Sequence, residues 1–109
     1  MGYILKFEGE YLNGKKHGKG KEYYSNGKLI FEGNYLDGER NGKGREYDSF
    51  NGKIIFEGEY LNGERNGHGK EYFYDTGTLK YEGEYLNGKR YGKGKEYDRD
   101  GKLIFEVWL

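Results

Sequence analysis

Four glutamates recur at equivalent positions of this chain, and they are its first candidates for chemistry. Glu8, Glu32, Glu57 and Glu82 each precede a glycine in a strand-like segment. Grouped carboxylates could hold a hard cation, because such cations prefer carboxylate and carbonyl oxygens. The same spacing also suits cross-strand ion pairs with lysine or arginine, each worth about 0.5 kcal/mol. Ion pairs are the simpler interpretation, so we expect no metal site and no cofactor.

Groups for covalent or acid–base catalysis are scarce. The chain has no cysteine, and its few serines and threonines fall in turn-like segments. A nucleophile needs a base beside it and a third group that orients the base. His17 and His68 occupy different slots of the repeat described below, so they share no role, and we expect both in exposed loops. The sequence therefore predicts a protein that is not an enzyme and has no catalytic residues.

Charge and composition narrow the class of protein. The 19 lysines and arginines balance the 19 aspartates and glutamates, so no nucleic-acid partner is expected. Because each of the 21 glycines would cost a helix interior about 1 kcal/mol, long helices are disfavoured and an all-β fold is favoured. A chain without cysteine suits a reducing compartment, and no segment resembles a signal peptide or a membrane span. We expect a soluble, cytoplasmic protein.

An internal repeat organises nearly the whole chain. A supersecondary unit of this length cannot bury a face alone, so its stability must come from stacking on neighbouring copies. We expect a single repeat domain, 1–109, that ends in a half-unit at 105–109, which caps the last edge. The four full units cover residues 7–30, 31–55, 56–80 and 81–104.

Each unit has the pattern of a β-hairpin followed by a second turn. An Asn-Gly or Asp-Gly pair separates two alternating runs, and both central residues of a type I′ turn need a positive φ. A two-residue turn sets Leu36 opposite Glu39 and Gly33 opposite Gly42. Unit lengths differ by one residue around the second turn, which places a loop there. The sequence thus predicts an elongated, single-layer antiparallel β-meander of about nine strands, roughly 40 Å long.

Two aromatic columns recur in register with the glycines. Glycines leave room for rings to lie on bare backbone, so the rings could form the core of a one-layer protein. A single sheet cannot cover both of its faces, so the same rings could instead line a groove for a partner. The predicted partner-binding groove comprises Phe7, Tyr11, Phe31, Tyr35, Phe56, Tyr60, Tyr81 and Tyr85.

Basic residues concentrate in the segments around the Asn-Gly turns. These segments carry a positive charge that the rest of the chain balances, which predicts a ribbon with two electrically different sides. The first and last segments are the most basic, and their tips form an alternative surface for acidic phospholipid. The opposing interpretation is solubility and repulsion between ribbons. The residues of the lipid alternative are Lys15, Lys16, Lys19, Lys21, Lys89, Arg90, Lys93 and Lys95.

The repeated run, read most clearly at 81–94 as Tyr-Glu-Gly-Glu-Tyr-Leu-Asn-Gly-Lys-Arg-Tyr-Gly-Lys-Gly, resembles the MORN (membrane occupation and recognition nexus) repeat. Two features depart from that family. The units are slightly longer than usual, and tyrosine replaces the common tryptophan at 11, 35, 60 and 85. The resemblance implies a sheet of hairpins curved into a groove. It also implies an interaction module of the kind found in proteins that tether membranes, cytoskeleton or enzymes.

Three functions follow as alternatives. The first is a non-enzymatic scaffold that binds an extended or helical segment of another protein along the aromatic groove. The second is peripheral attachment to acidic phospholipid, which would place the protein at a membrane surface, and salt would weaken it. The third is a designed or recently amplified repeat without an evolved ligand. Oligomers through the sheet edges are a further expectation.

Overall fold

The chain folds into one open antiparallel sheet of nine strands, and the predicted fold class is confirmed. The structure, a computed structural model, describes residues 5–108, so Leu109, the last residue of the predicted cap, lies outside it. The strands follow chain order across the sheet. They are β1 (Lys6–Leu12), β2 (Lys15–Tyr23), β3 (Leu29–Leu36), β4 (Glu39–Tyr47), β5 (Ile54–Leu61), β6 (Glu64–Tyr72), β7 (Leu79–Leu86), β8 (Lys89–Tyr97) and β9 (Leu103–Trp108).

Tight turns join the two strands within each unit. Both central residues have positive φ in all four turns; at Asp37 and Gly38, for example, φ is 51° and 89°. This is the geometry of the predicted type I′ turn, which explains why asparagine or aspartate always precedes glycine there. The longer connections between units carry the one-residue length differences, as expected, and in each a single glycine has positive φ.

The register beyond the tight turn differs from simple pairing. Leu36 does lie opposite Glu39, but Gly33 pairs with Gly44 instead of Gly42. The physical reason is an irregularity in β4, where Gly42 adopts a φ of 94°. This β-bulge shifts the ladder by two residues. The same shift recurs in the first, third and fourth hairpins.

A row of glycines crosses the middle of the sheet, on the same side as the aromatic rings. One glycine from each of β1 to β8 stands in this row, and Val107 takes the position in β9. Any Cβ added at these glycines meets neighbouring backbone or an aromatic ring. We call the side that carries the rings the aromatic face and the opposite side the charged face. The longest dimension is 45 Å, along the direction in which the units stack.

Candidate interaction surfaces

The aromatic face is a stacked core in which each ring touches rings of its own and the next unit. Phe31 meets Tyr35 and Tyr60 edge to face, with centroids 5.8 and 5.1 Å apart. Such edge-to-face contacts stabilise beyond their buried area. The ring of Phe31 lies over Gly33 and Gly44, where a Cβ would collide with it. The glycine row is therefore what lets the rings lie flat against the sheet.

Arginines close this core from the solvent side. The guanidinium carbon of Arg40 lies 4.0 Å from the centroid of Phe31, and the same geometry recurs at Arg65 over Phe56 and Arg90 over Tyr81. A guanidinium over a ring face is attracted by the ring quadrupole and also covers apolar surface. Each arginine thus acts as a lid on one ring.

A carboxylate then joins each arginine to a tyrosine of the same unit. Glu46 accepts hydrogen bonds from the Tyr60 hydroxyl at 2.5 Å and from Arg65 Nε and Nη2 at 3.0 Å each. The clusters Glu22–Tyr35–Arg40 and Glu71–Tyr85–Arg90 repeat this arrangement. Every cluster links an even-numbered strand to the unit that follows. It is therefore an inter-unit connection.

These clusters shift the acidity of their members in opposite directions. Burial raises the pKa of Glu46, but hydrogen bonds from Arg65 and Tyr60 outweigh burial and leave that pKa below its usual value. Burial and the adjacent Glu46 carboxylate raise the pKa of the Tyr60 hydroxyl. At neutral pH the carboxylate is charged and the phenol is protonated, so the hydrogen-bond pattern is fixed.

Six of the eight residues predicted to line an aromatic groove are core residues in the structure. Phe31, Tyr35, Phe56, Tyr60, Tyr81 and Tyr85 are at most 4% exposed. The correction has a physical reason: the arginine lids and edge-to-face neighbours occupy the space where a partner would sit. Only the first unit differs, since Phe7 is partly buried and Tyr11 is 59% exposed. The aromatic face therefore has no open groove over the rings of the second, third and fourth units.

The charged face carries an alternating ladder, with one charged residue from every strand in a single row. Adjacent members are cross-strand partners of opposite sign. The row reads Glu8, Lys21, Glu32, Arg45, Glu57, Lys70, Glu82, Lys95 and Glu106. Glu32, Glu57 and Glu82 therefore face basic partners on both sides, and Glu8, on the edge strand, faces Lys21 on one side. No metal-binding group of His, Cys, Asp and Glu occurs among the described residues.

A groove of about 740 Å³ runs along this face above the glycine row. Five lysines and arginines and four glutamates line it, together with His68 and Asn34. Few of these charges are paired: within residues 5–108, the ion pairs closer than 4.0 Å along the groove are Arg45–Glu57 and those of His68. Tyrosine hydroxyls donate to Glu8, Glu32 and Glu57, whereas the lysines of the groove form no ion pair among the described residues. The groove thus presents a nearly neutral pattern of charges in which few acidic and basic groups are joined directly.

His68 contacts two carboxylates, and it lies in β6 rather than in a loop. Its Nε2 is 2.9 Å from Glu82 and its Nδ1 is 3.4 Å from Glu84. Burial lowers the pKa of His68, but the two carboxylates outweigh burial and raise it overall. His17 likewise lies in a strand, β2. The loop placement expected for both histidines is therefore corrected.

The basic residues of the lipid alternative are not gathered into one patch. Lys21 and Lys95 belong to the ladder, and Arg90 is held by Glu71 and by Glu96 at 2.6 Å. The first and last units stand at opposite ends of the ribbon. The turn segments are basic because even strands supply the positive members of each row, between acidic members from odd strands. The cross-strand pairs expected for the recurring glutamates agree with this alternation, and the bulge determines which basic residue each glutamate faces, as with Glu32 and Arg45.

These features agree with the comparisons to known proteins. The family model of the MORN repeat matches residues 7–28, 31–49, 56–78 and 81–102. The chain therefore belongs to the MORN repeat family, whose repeats generally mediate protein or membrane interactions. No curated protein matches the chain. The described residues contain no helix that is long and apolar enough to cross a bilayer.

Proposed function

We propose that this protein is a non-enzymatic interaction module that binds an extended or helical segment of another protein in the groove of its charged face. The observation that carries the proposal is the groove itself, open along the ribbon and lined by lysines that form no ion pair within residues 5–108, namely Lys19, Lys21, Lys43 and Lys70. A partner that supplies opposite charges would gain hydrogen bonds without first breaking strong ion pairs.

The dimensions of the groove fit a polypeptide. Its lining residues come from β1 to β6, which at ~4.8 Å per strand spans roughly 24 Å. A helix of about 16 residues or an extended segment of about seven residues has that length. Both are ordinary lengths for a recognition segment.

The charge pattern of the groove decides which class of partner it suits. Five basic and four acidic residues nearly cancel, so the groove offers no strong attraction to a uniformly anionic surface. Recognition must come from the order of charges, because a segment in the wrong register places like charges together. The proposal therefore favours a protein segment with alternating charges over nucleic acid or acidic lipid.

The experiment selects a displayed library of 20-residue segments against the intact protein. Each binder is then measured against the groove variant Lys43→Glu/Arg45→Glu and against the control Lys28→Glu/Lys53→Glu, which changes the same charge in the loops. We expect the groove variant to weaken binding at least tenfold and the control to leave it nearly unchanged. Binders that respond to the loop variant alone would contradict the proposal.

Vesicles containing phosphatidylserine test the lipid alternative in the same set of proteins. If the protein sediments with them at physiological salt, and Lys15→Ala/Lys89→Ala abolishes this, the turn tips bind lipid and the groove is not the main surface. Our proposal expects no sedimentation at that salt, because isolated exposed lysines lose most of their attraction to the surface over a Debye length of about 8 Å.

A further inference from the structure

The inter-unit clusters are complete at three junctions between units. At the outer edge of β1, the structure has the hydrogen-bond donors of such a cluster but not its carboxylate. At each complete junction a glutamate of an even strand lies opposite a Phe or Tyr of the next strand and is held by a tyrosine and an arginine of that next unit. Glu22 is the first example: Arg40 Nε and Nη2 donate to it at 2.9 and 3.2 Å, and the Tyr35 hydroxyl completes its coordination.

The first unit holds the same donors without the carboxylate. Tyr11 pairs with Lys16 in the register in which Tyr35 pairs with Arg40. The Lys16 ammonium lies 4.8 Å from the Phe7 centroid, as the Arg40 guanidinium lies over Phe31. Within the described residues, Tyr11 has no carboxylate partner, and it is 59% exposed where Tyr35 is 4% exposed.

We propose that the outer edge of β1 binds an antiparallel strand of a partner chain that carries the pattern Gly-x-Gly-Lys/Arg-Glu-Tyr. The pairing of β2 with β3 provides the template, because β1 repeats β3. In that template Gly18 faces Tyr35, Lys21 faces Glu32 and Glu22 faces Phe31.

Moved by one unit, the template assigns a role to each position of the incoming strand. Its first glycine faces Tyr11, and its second glycine faces Gly9 and leaves room for the Phe7 ring. Its basic residue pairs with Glu8 and continues the charge ladder. Its glutamate accepts hydrogen bonds from the Tyr11 hydroxyl and the Lys16 ammonium, which completes the cluster.

The charge ladder argues against a second copy of this chain as the occupant. The two outer strands of the described sheet, β1 and β9, both contribute a glutamate to the ladder, Glu8 and Glu106. Joining two copies edge to edge with the ladder in register therefore sets glutamate against glutamate, which is repulsive. A strand of the even type, with its lysine or arginine, is attracted instead. The ladder thus selects a heterologous partner.

The probe is a labelled nine-residue peptide with the sequence of β4, Glu-Arg-Asn-Gly-Lys-Gly-Arg-Glu-Tyr, added to the 109-residue chain. We expect saturable binding and shifts of backbone amide resonances centred on residues 6–12. Replacing the glutamate before the tyrosine by glutamine in the peptide should weaken binding about tenfold, as expected for loss of a charged hydrogen-bond acceptor. Tyr11→Phe in the protein should weaken binding by several-fold.

Combining these two changes tests whether the peptide binds through the cluster or only by adding a strand through its backbone. The glutamine peptide should bind the Tyr11→Phe protein little worse than it binds the wild type, because both changes remove the same hydrogen bond. Tyr91→Phe, which alters another exposed tyrosine far from β1, should leave binding unchanged. At β9 an added strand would find no tyrosine and arginine for its glutamate. The affinity of a peptide bound there would therefore not change when its glutamate is replaced by glutamine.

Three outcomes would overturn the proposal. They are shifts centred on β9 or in the groove, equal affinity for the glutamate and glutamine peptides, and no saturable binding up to about 1 mM peptide. Failure here leaves the groove proposal intact, because the groove variants change none of the residues tested on β1.

Discussion

The two faces of the sheet are made from alternate residues of the same strands, yet they differ in how far their polar groups are satisfied. On the aromatic face, Glu22, Glu46 and Glu71 each accept hydrogen bonds from both a tyrosine and an arginine. On the charged face, Glu8, Glu32 and Glu57 each accept a hydrogen bond from a tyrosine hydroxyl. Their cross-strand basic partners stand opposite them, but few of these pairs come within 4.0 Å.

This difference indicates which face of a one-layer protein stabilises the fold and which face is available for binding. Without a second layer, one face must bury its own rings, and here bare glycine backbone and arginine lids accomplish that. The other face is then free to keep separate charges in water. We therefore expect substitutions on the aromatic face to change the free energy of unfolding, and substitutions on the charged face to change binding.

The largest effect is expected in the glycine row, which lies beneath the rings of the aromatic face. A Cβ at Gly58 would lie 2.6 Å from the His68 carbonyl oxygen and 2.7 Å from Gly69 Cα, so the backbone must move. Gly58→Ala should lower the free energy of unfolding by about 3 kcal/mol, measured by urea denaturation.

Gly52→Asn is the matched control for the glycine row. Gly52 has a φ of 72° and open space around it, and asparagine tolerates this conformation. We expect a change within about 0.5 kcal/mol. Equal effects of the two substitutions would mean that the row is not needed for close approach of strands and rings.

The second-largest effect is expected when a glutamate of the aromatic face is replaced, and a glutamate of the charged face on the next strand is the comparison. Glu46→Gln removes the charge that faces the half-buried Arg65 and should cost about 2 kcal/mol, because an unpaired guanidinium is left in a site of limited solvation. Glu59→Gln, on the exposed charged face, should change the free energy of unfolding by less than about 0.5 kcal/mol. Comparable losses at both sites would remove the distinction between the faces.

The third test compares two tyrosines of the aromatic face whose substitution should change the free energy of unfolding in opposite directions. The buried Tyr81 hydroxyl has no hydrogen-bond partner among the described residues, whereas the Tyr85 hydroxyl donates to Glu71. Tyr81→Phe should therefore raise the free energy of unfolding by about 1 kcal/mol, and Tyr85→Phe should lower it by about 1.5 kcal/mol. Thermal denaturation of both variants measures the difference. Destabilisation by Tyr81→Phe would show that its hydroxyl is satisfied after all.

Most of the fold was predictable because it depends on local signals. The Asn-Gly and Asp-Gly pairs fix the tight turns, and the spacing of repeated residues fixes the strand order. The register was not predictable, because the bulge at Gly42 uses a glycine that looks like any other in the repeat. Because of that error, the sequence did not predict that Glu46 lies opposite Phe31 or that Arg45 lies opposite Glu32.

The candidate site was less predictable, for a reason that lies in side-chain packing. An aromatic column reads the same whether its rings are covered or exposed. The predicted turn places Arg40 opposite Tyr35, but it does not show that the Arg40 guanidinium covers the Phe31 ring. The charge ladder likewise emerges only when all strands are aligned. Tyr11 and Tyr35 look equivalent in sequence, yet the outer side of β1 makes one exposed and the other buried.

The smallest effect concerns the protonation of the charged face near neutral pH. Burial opposes the charge on His68, but Glu82 and Glu84 favour it and raise its pKa above 6.5. Since the folded-state pKa is the higher one, the stabilisation by protonated His68 is fully present below about pH 6.5 and is lost as the pH rises through the raised value.

Titration of the His68 ring protons by NMR should give a pKa above the usual value, and Glu82→Gln should bring it down. The aromatic face should not respond over the same pH range, because its glutamates have lowered pKa values and its tyrosines raised ones. A His68 pKa at or below 6.5 would show that the groove carboxylates stay hydrated and apart from the ring. The charged face would then be even less internally paired, which strengthens the contrast with the aromatic face.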